Sequence, residues 1–245
     1  MRNYKWAVDA PIDENKISAF GSSVCNGQGA DGNKGYAYML GEQLATLYKQ
    51  KESDTPFYVS GVSIGGNTTT NLLSRYDEMT HDFGRYVIIG LSLGNEGIHG
   101  ASDQSAIYTQ FTTYMQKIIS KVKADGKIPV VMNNYTRADY NDIDYSYVKK
   151  TNLTIHGWNV ASVNVLGAID KGNGQWADGY VADDYHQNTE GHREFMYAIP
   201  PSLFDALKAE KPQPKRDKTQ FMALRCVSTL TFSGEGTVHP ITVCV

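Results

Sequence analysis

The feature that most limits what this chain can fold into is the run Tyr86-Val87-Ile88-Ile89-Gly90-Leu91 together with the helical stripe that follows it. A continuous apolar run, unlike an alternating one, reads as a strand covered on both faces. Downstream, Ile107, Phe111, Tyr114, Ile118 and Val122 share one face of a helix expected over residues 103–123, with Asp103 or Ser105 as its cap. A strand buried on both faces needs helices on both sides of its sheet, and helices of that kind are crossovers between parallel strands.

The same alternation recurs along the chain. Further strands are expected at Ile17-Ser18-Ala19-Phe20, Phe57-Tyr58-Val59, Ile128-Pro129-Val130-Val131-Met132 and Ala161-Ser162-Val163-Asn164-Val165-Leu166. Helices are expected over residues 36–48, where Ala37, Leu40, Leu44 and Leu47 align, around Leu72 and Leu73, over 142–150, and as a pair over 189–208. The expectation is an α/β domain, residues 1–210, built on a mostly parallel sheet.

Residues 211–218 are rich in proline and lysine, a linker signature. The alternating segments 221–232 and 238–245, joined by a Gly234/Gly236 turn, read as a β-hairpin extension. It either packs on the domain or opens a truncated second one. Cys226 and Cys244 bracket this hairpin and can pair or stay free; with Cys25 they are too few for a disulfide framework.

A net charge of -3 offers no electrostatic reason to expect nucleic acid as a partner. No apolar run reaches bilayer length. The opening Met-Arg-Asn-Tyr-Lys-Trp lacks the apolar stretch of a secretory signal, which leaves localisation open, since a signal can be removed before the chain is studied. Oligomeric state is equally open.

Chemistry-bearing residues fall at strand ends. Gly21-Ser22-Ser23-Val24-Cys25-Asn26-Gly27 follows the first strand, at the edge where reactive groups gather in an open α/β sheet. Alone it passes for a turn and helix cap. A serine hydroxyl becomes a good nucleophile only when a histidine takes its proton and an acceptor holds that histidine's tautomer. Asp183-Asp184-Tyr185-His186-Gln187-Asn188 supplies both types on one loop, although an Asp-x-x-His pair by itself is commonplace.

Two further loops offer donors for a developing oxyanion: the backbone N–H of Gly66 and the side chain of Asn95 in Leu93-Gly94-Asn95-Glu96. Metal binding by Asp183, Asp184, His186 and His192 is the competing chemistry, with no other His or Cys cluster to support it. His81, His99, His156 and His239 are scattered.

Taken in order, these blocks resemble the SGNH hydrolase superfamily, the GDSL-type esterases and lipases, over about residues 16–208. Gly21-Ser22-Ser23 with Gly27 is similar to the family's first block, Gly66-Asn67-Thr68-Thr69 to its second, Gly94-Asn95-Glu96 to its third, and Asp183-x-x-His186 with Gly191 to its fifth. The resemblance implies a flavodoxin-like three-layer α/β/α sandwich. It also implies a catalytic triad of Ser23, His186 and Asp183, an oxyanion hole from the Ser23 and Gly66 N–H groups and the Asn95 side chain, and no cofactor and no metal.

Several positions depart from the family pattern. Ser22 and Glu96 each stand where aspartate is usual, Gln187 replaces a common proline, and Gly94 lies directly before Asn95 rather than two residues earlier.

For the substrate, Tyr135, Trp158, Trp176 and Tyr185 offer aromatic surfaces, and Asn133, Asn134 and Arg137 polar contacts. Such a rim suits a sugar ring carrying a small acyl group better than a long lipid chain. The expected activity is hydrolysis of short acyl esters, acetyl foremost, on a small-molecule or polysaccharide carrier. A general short-chain carboxylester hydrolase or lipase, and a catalytically silent carbohydrate-binding protein on the same scaffold, stand as alternatives. A strand-rich tail after a proline-rich linker, of the kind that accompanies carbohydrate-active enzymes, points the same way by association alone.

Overall fold

A computed structural model describes residues 11–50 and 57–211. The expected hairpin, most of the linker before it and the Cys226/Cys244 pair lie outside the described residues.

The strands are β1 (Asp13–Gly21), β2 (Tyr58–Gly61), β3 (Gly84–Gly90), β4 (Ile128–Met132) and β5 (Ala161–Val163). They form one sheet in the order β2-β1-β3-β4-β5, and every pair is parallel. Side chains alternate across this sheet. Ile17 and Ala19 of β1 and Tyr86 and Ile88 of β3 face one layer, while Phe20, Val87 and Ile89 face the other.

The first layer contains α1 (Tyr36–Gln50), α6 (Leu166–Ile169), α7 (Thr189–Tyr197) and α8 (Ser202–Lys208), which enclose Leu40, Leu44, Ile169, Phe195 and Phe204. The second holds α2 (Thr69–Ser74), α3 (Tyr76–Thr80), α4 (Gln104–Ala124) and α5 (Asp142–His156), around Leu72, Met79, Phe111, Ile118, Val148 and Ile155. Each such fully buried side chain stabilises the fold by about 1.5–3 kcal/mol relative to exposure. Helices on both faces of a parallel sheet make the three-layer sandwich that the resemblance implied.

Of the elements whose details depart from or refine their sequence reading, α4, α5 and β5 do so for local reasons. In α4, Asp103 is the cap, accepting from the Ala106 N–H at 2.9 Å, and Met115 takes the centre of the buried stripe while Tyr114 lies half-exposed at its edge. Helix α5 runs on to His156 because Val148, Thr151, Asn152 and Ile155 continue its buried face; Asn141 and Asp144 close a capping box at its start. Strand β5 ends at Val163, since Val165 already has helical dihedrals and begins α6.

This strand order carries a consequence for function. From β1 the chain moves outward to β2 and then returns to the other side of β1 for β3, so β1 and β3 flank the point where the order reverses. In open α/β sheets, ligands bind beyond the carboxyl ends of the strands at that point. The loop after β1 carries Ser23, and the loop after β3 carries Asn95.

Candidate active site

Ser23 leaves the end of β1 in a tight turn whose first N–H, that of Ser22, bonds to Gly90 O of β3 at 3.1 Å. Ser22 is fully buried, and its Oγ has no hydrogen-bond partner among the described residues; Ser23, at 8% exposure, lines the cleft. Of the two adjacent serines, only Ser23 reaches the histidine. Its Oγ lies 2.9 Å from His186 Nε2.

His186 reaches this position on a self-braced loop. Val181 and Gln187 form an isolated antiparallel bridge, the N–H groups of Ala182 and Asp183 both bond to His186 O, and Asn188 caps α7 through Gly191 N. Asp183 Oδ1 accepts from the N–H groups of Tyr185 at 2.8 Å and His186 at 2.9 Å. Both Asp183 oxygens also face His186 Nδ1, at 2.8 and 2.9 Å. Partial burial pushes the Asp183 carboxyl up, but the His186 ring and those backbone donors outweigh it and hold the pKa below the usual carboxylate range. An ionised Asp183 makes Nδ1 the donor of the pair and leaves Nε2 free to accept from Ser23.

The serine and histidine loops meet through Gly29, which has φ +97°; a Cβ there would lie 2.2 Å from Gln187 O. Only glycine fits both demands. His192 fastens the same contact from below. Buried completely, it accepts from the Tyr36 N–H at Nδ1 (3.2 Å) and donates from Nε2 to Gln28 O (2.9 Å). Burial lowers its pKa to about 4, so it is the neutral imidazole that holds this contact. Both of its ring nitrogens are engaged with backbone, which is where the sequence reading had weighed a metal ligand.

The two other expected residues face the same cleft. Gly66, at φ +73°, precedes α2, and neither its N–H nor that of Ser23 bonds to another backbone group among the described residues. Asn95 Oδ1 lies 3.4 Å from Ser92 Oγ, an arrangement that leaves its Nδ2 as a free donor. Ser23, Gln28, Gly66, Asn95, Arg137, Tyr185 and His186 together line an open cleft of about 330 Å³.

Sequence reasoning missed the residues that brace these loops. Arg75, at the start of α3, donates to Asn67 Oδ1 and Val62 O, each at 2.6 Å, and stacks over Phe20 at 4.9 Å. It thereby ties the Gly66 loop to β1. Glu96 Oε1 accepts from the Thr69 N–H at 2.5 Å, joining the Asn95 loop to the start of α2; burial raises its pKa against that bond. The longer side chain standing where the family has aspartate spans this gap. Asn134 Oδ1 receives the Leu93 N–H at 2.7 Å, while Asn152 bonds to the backbone of Asn134 at both N–H and C=O. An asparagine or arginine on an amphipathic segment carries no local mark of such a task.

The structure also sorts the residues proposed for substrate. Tyr135, Trp176, Asn133 and Asn134 are buried, and Trp158 packs against the α4/α5 side of the core. Of the set, Arg137 and Tyr185 reach the cleft.

A family model described as GDSL-like lipase/acylhydrolase matches residues 19–194, spanning every element that supplies the cleft. The chain belongs to that family. GDSL-like acylhydrolases are carboxylic ester hydrolases, and so is this protein. No curated protein matches the sequence. Among solved structures, TesA superposes with TM-score 0.61 at 18% identity, covering 77% of this chain and 97% of its own. The psychrotrophic esterase EstA from Pseudoalteromonas sp. gives 0.57 at 20% identity, with 80% and 98% covered. Axe2, an acetylxylan esterase from Geobacillus stearothermophilus, gives 0.58 at 15%, with 75% and 91% covered. At these identities the likeness is one of fold. No helix among the described residues is long and apolar enough to cross a membrane.

Proposed function

We propose that this GDSL-like hydrolase cleaves short acyl esters, acetyl foremost, from a carbohydrate, with Ser23 as nucleophile, His186 as general base and acid, and Asp183 as its partner. The 2.9 Å contact between Ser23 Oγ and His186 Nε2, continued by Asp183 on Nδ1, carries this reading. As Ser23 attacks the ester carbonyl, its proton passes to Nε2, and the Asp183 carboxylate stabilises the resulting imidazolium. The N–H groups of Ser23 and Gly66 and the Asn95 amide receive the oxyanion, each donor lowering the barrier by about 3 kcal/mol. Collapse expels the alcohol with the proton from His186. Water, deprotonated by the same ring, then releases the acid from Ser23.

The acyl and alcohol assignments rest on the lining of the cleft. No Val, Leu, Ile or Met is among its seven lining residues, so a long acyl chain finds no wall of such side chains to bury against. A small acyl group needs none, and a hydroxyl-rich alcohol finds Gln28, Asn95, Arg137 and Tyr185. The fold likeness to an acetylxylan esterase is in keeping with this. We assign the catalytic unit to residues 1–210 and treat 211–245 as a separate extension.

Two measurements test the reading. A nitrophenyl acetate assay should show an acylation burst that Ser23→Ala removes, with a fall in turnover on the order of 10⁴-fold or more while folding is kept. A burst surviving that substitution overturns the triad. Acetate release from acetylated oligosaccharides should exceed that from simple alkyl acetates, and equal rates overturn the carbohydrate assignment.

A further inference from the structure

Arg137 sits in the cleft in an arrangement the triad does not use. Its Nε and Nη2 form a two-pronged pair with Asp139, at 2.9 and 2.7 Å from the two carboxylate oxygens. Nη1 accordingly has no hydrogen-bond partner among the described residues. The flat guanidinium lies 4.4 Å from the centroid of the Tyr185 ring, and that ring stands edge-on to His186 at 6.4 Å. Tyr185 is 51% exposed, so part of its surface remains open to the cleft.

Gly94 provides the room in which Arg137 sits. A Cβ at Gly94 would lie 2.3 Å from Arg137 Nη1 and 2.4 Å from its Cδ, both far inside contact distance. The glycine directly before Asn95, one of the departures from the family pattern, is the space the arginine occupies. Asn95 and Arg137 both line the cleft, with Arg137 packed against the residue before Asn95.

The chemistry of the reaction fixes which half of the ester meets Arg137 and Tyr185. His186 must hand its proton to the departing alcohol, so the alcohol lies on the histidine's side of the scissile bond, the side Tyr185 and Arg137 occupy. The charges decide what kind of alcohol fits there. Asp139 already neutralises Arg137, and the histidine loop adds two more carboxyl groups beside Tyr185, Asp184 and Asp183, the latter held below the usual carboxylate range. An anionic alcohol would meet net negative charge; a neutral one finds a planar donor and an aromatic face.

We propose that Arg137 and Tyr185 form the subsite for the alcohol half of the ester and that its occupant is a neutral, hydroxyl-rich ring, not a uronate or another anionic sugar. This rests on the esterase reading above and adds to it the charge and position of the alcohol. Arg137 Nη1 donates to a ring hydroxyl or ring oxygen, and Tyr185 packs against the ring's C–H face.

The test compares kcat/KM for three probes: an acetylated neutral oligosaccharide, an acetylated oligosaccharide of uronic acid units, and nitrophenyl acetate. The wild-type protein should prefer the neutral sugar ester to the uronate. Tyr185→Ala and Arg137→Lys should each lower the ratio of neutral-sugar to nitrophenyl acetate activity by about tenfold, mainly through KM, the loss of one contact of roughly 1.4 kcal/mol. Tyr185→Phe should keep the ratio, because the ring face is retained. Since Arg137→Lys can disturb the packing on Gly94, the exposed Tyr185 pair keeps the outcome readable if the lysine variant fails to fold.

An unchanged ratio in Tyr185→Ala, with the wild-type preference for sugar esters intact, overturns the subsite and leaves the carbohydrate esterase standing. Equal use of neutral and uronate esters overturns the neutral-ring assignment. A wild-type protein that favours no sugar ester over alkyl acetates overturns both.

Discussion

The two walls of the cleft are built in opposite ways. On the histidine wall, Asp183, Tyr185 and His186 are within three residues of one another and hold each other through side-chain and backbone bonds of a single loop. On the serine wall, the parts come from three strand ends and are joined by Arg75, Glu96 and Asn134, bonding across 13, 27 and 41 residues of sequence. The Asp183 side chain is 51% exposed, whereas Asn134 is fully buried and Arg75 nearly so. Water reaches the exposed Asp183 side chain more readily than the buried Asn134 or the largely buried Arg75, so damage to the histidine wall should appear in rate, and damage to the serine wall in both rate and stability.

The largest effect that separates the walls is expected from Asp183→Asn. The amide can donate to Nδ1 and so favour the wrong tautomer of His186, and kcat on nitrophenyl acetate should fall on the order of 10³- to 10⁴-fold. The urea midpoint should hardly move, because the group is solvated and its neighbours are local. A marked drop in that midpoint would erase the contrast between the walls.

Asn95→Ala comes next. Loss of one oxyanion donor should lower kcat by about 10²- to 10³-fold with little change in KM. A rise in KM at constant kcat would show that Asn95 binds the ground state instead of the transition state.

The contact between the walls gives a pH prediction. Burial, with a smaller push from the nearby His186 and against the bond to Gln28 O, lowers the pKa of His192 in the folded protein to about 4 from an ordinary value of 6.5. The unfolded chain therefore takes up the proton first. The contribution of neutral His192 is complete above pH 6.5, declines as the pH falls toward 4, and changes no further below that, a loss of about 3 kcal/mol at most. Urea unfolding at pH 7 and pH 4 should show this component in the wild type and lack it in His192→Gln; equal pH dependence in the two proteins would remove His192 from the account.

Arg75→Ala should produce the smallest change and the one most specific to the serine wall. Leaving Val62 O and Asn67 Oδ1 without their donor should cost about 2 kcal/mol of stability and lower kcat through a looser Gly66 loop. Arg75→Lys should not restore it, since one ammonium group cannot serve both acceptors in the geometry of a guanidinium. Full rescue by lysine would mean that charge alone matters at this position.

The same contrast explains what could be read in advance. Each strand expected from the apolar runs is present, β4 with its expected ends, because burial on both faces leaves a signal in consecutive residues. The Asp183/His186 pair was legible because its residues are neighbours in the chain. Arg75 and Asn152 were not marked and His192 was weighed only as a metal ligand, since each acts on a backbone group far away in sequence, and a polar residue on a helix looks the same whether it faces water or a distant carbonyl. The end of β5 and the length of α5 were misjudged where local propensity gave way to packing and capping.

The sequence by itself determined the parallel α/β architecture, through the period of its apolar residues, and the family, through four short blocks in a characteristic order. It placed Ser23, Gly66 and Asn95 in loops after strands, and Asp183 and His186 in the loop before α7. Only the tertiary structure decided that Ser23 rather than Ser22 faces the cleft, that Tyr135, Trp176 and Asn134 are interior, and that Arg137 and Tyr185 line its edge. Those outcomes depend on which way a side chain points when distant loops are brought within a few ångströms. Period and spacing along the chain do not encode that direction.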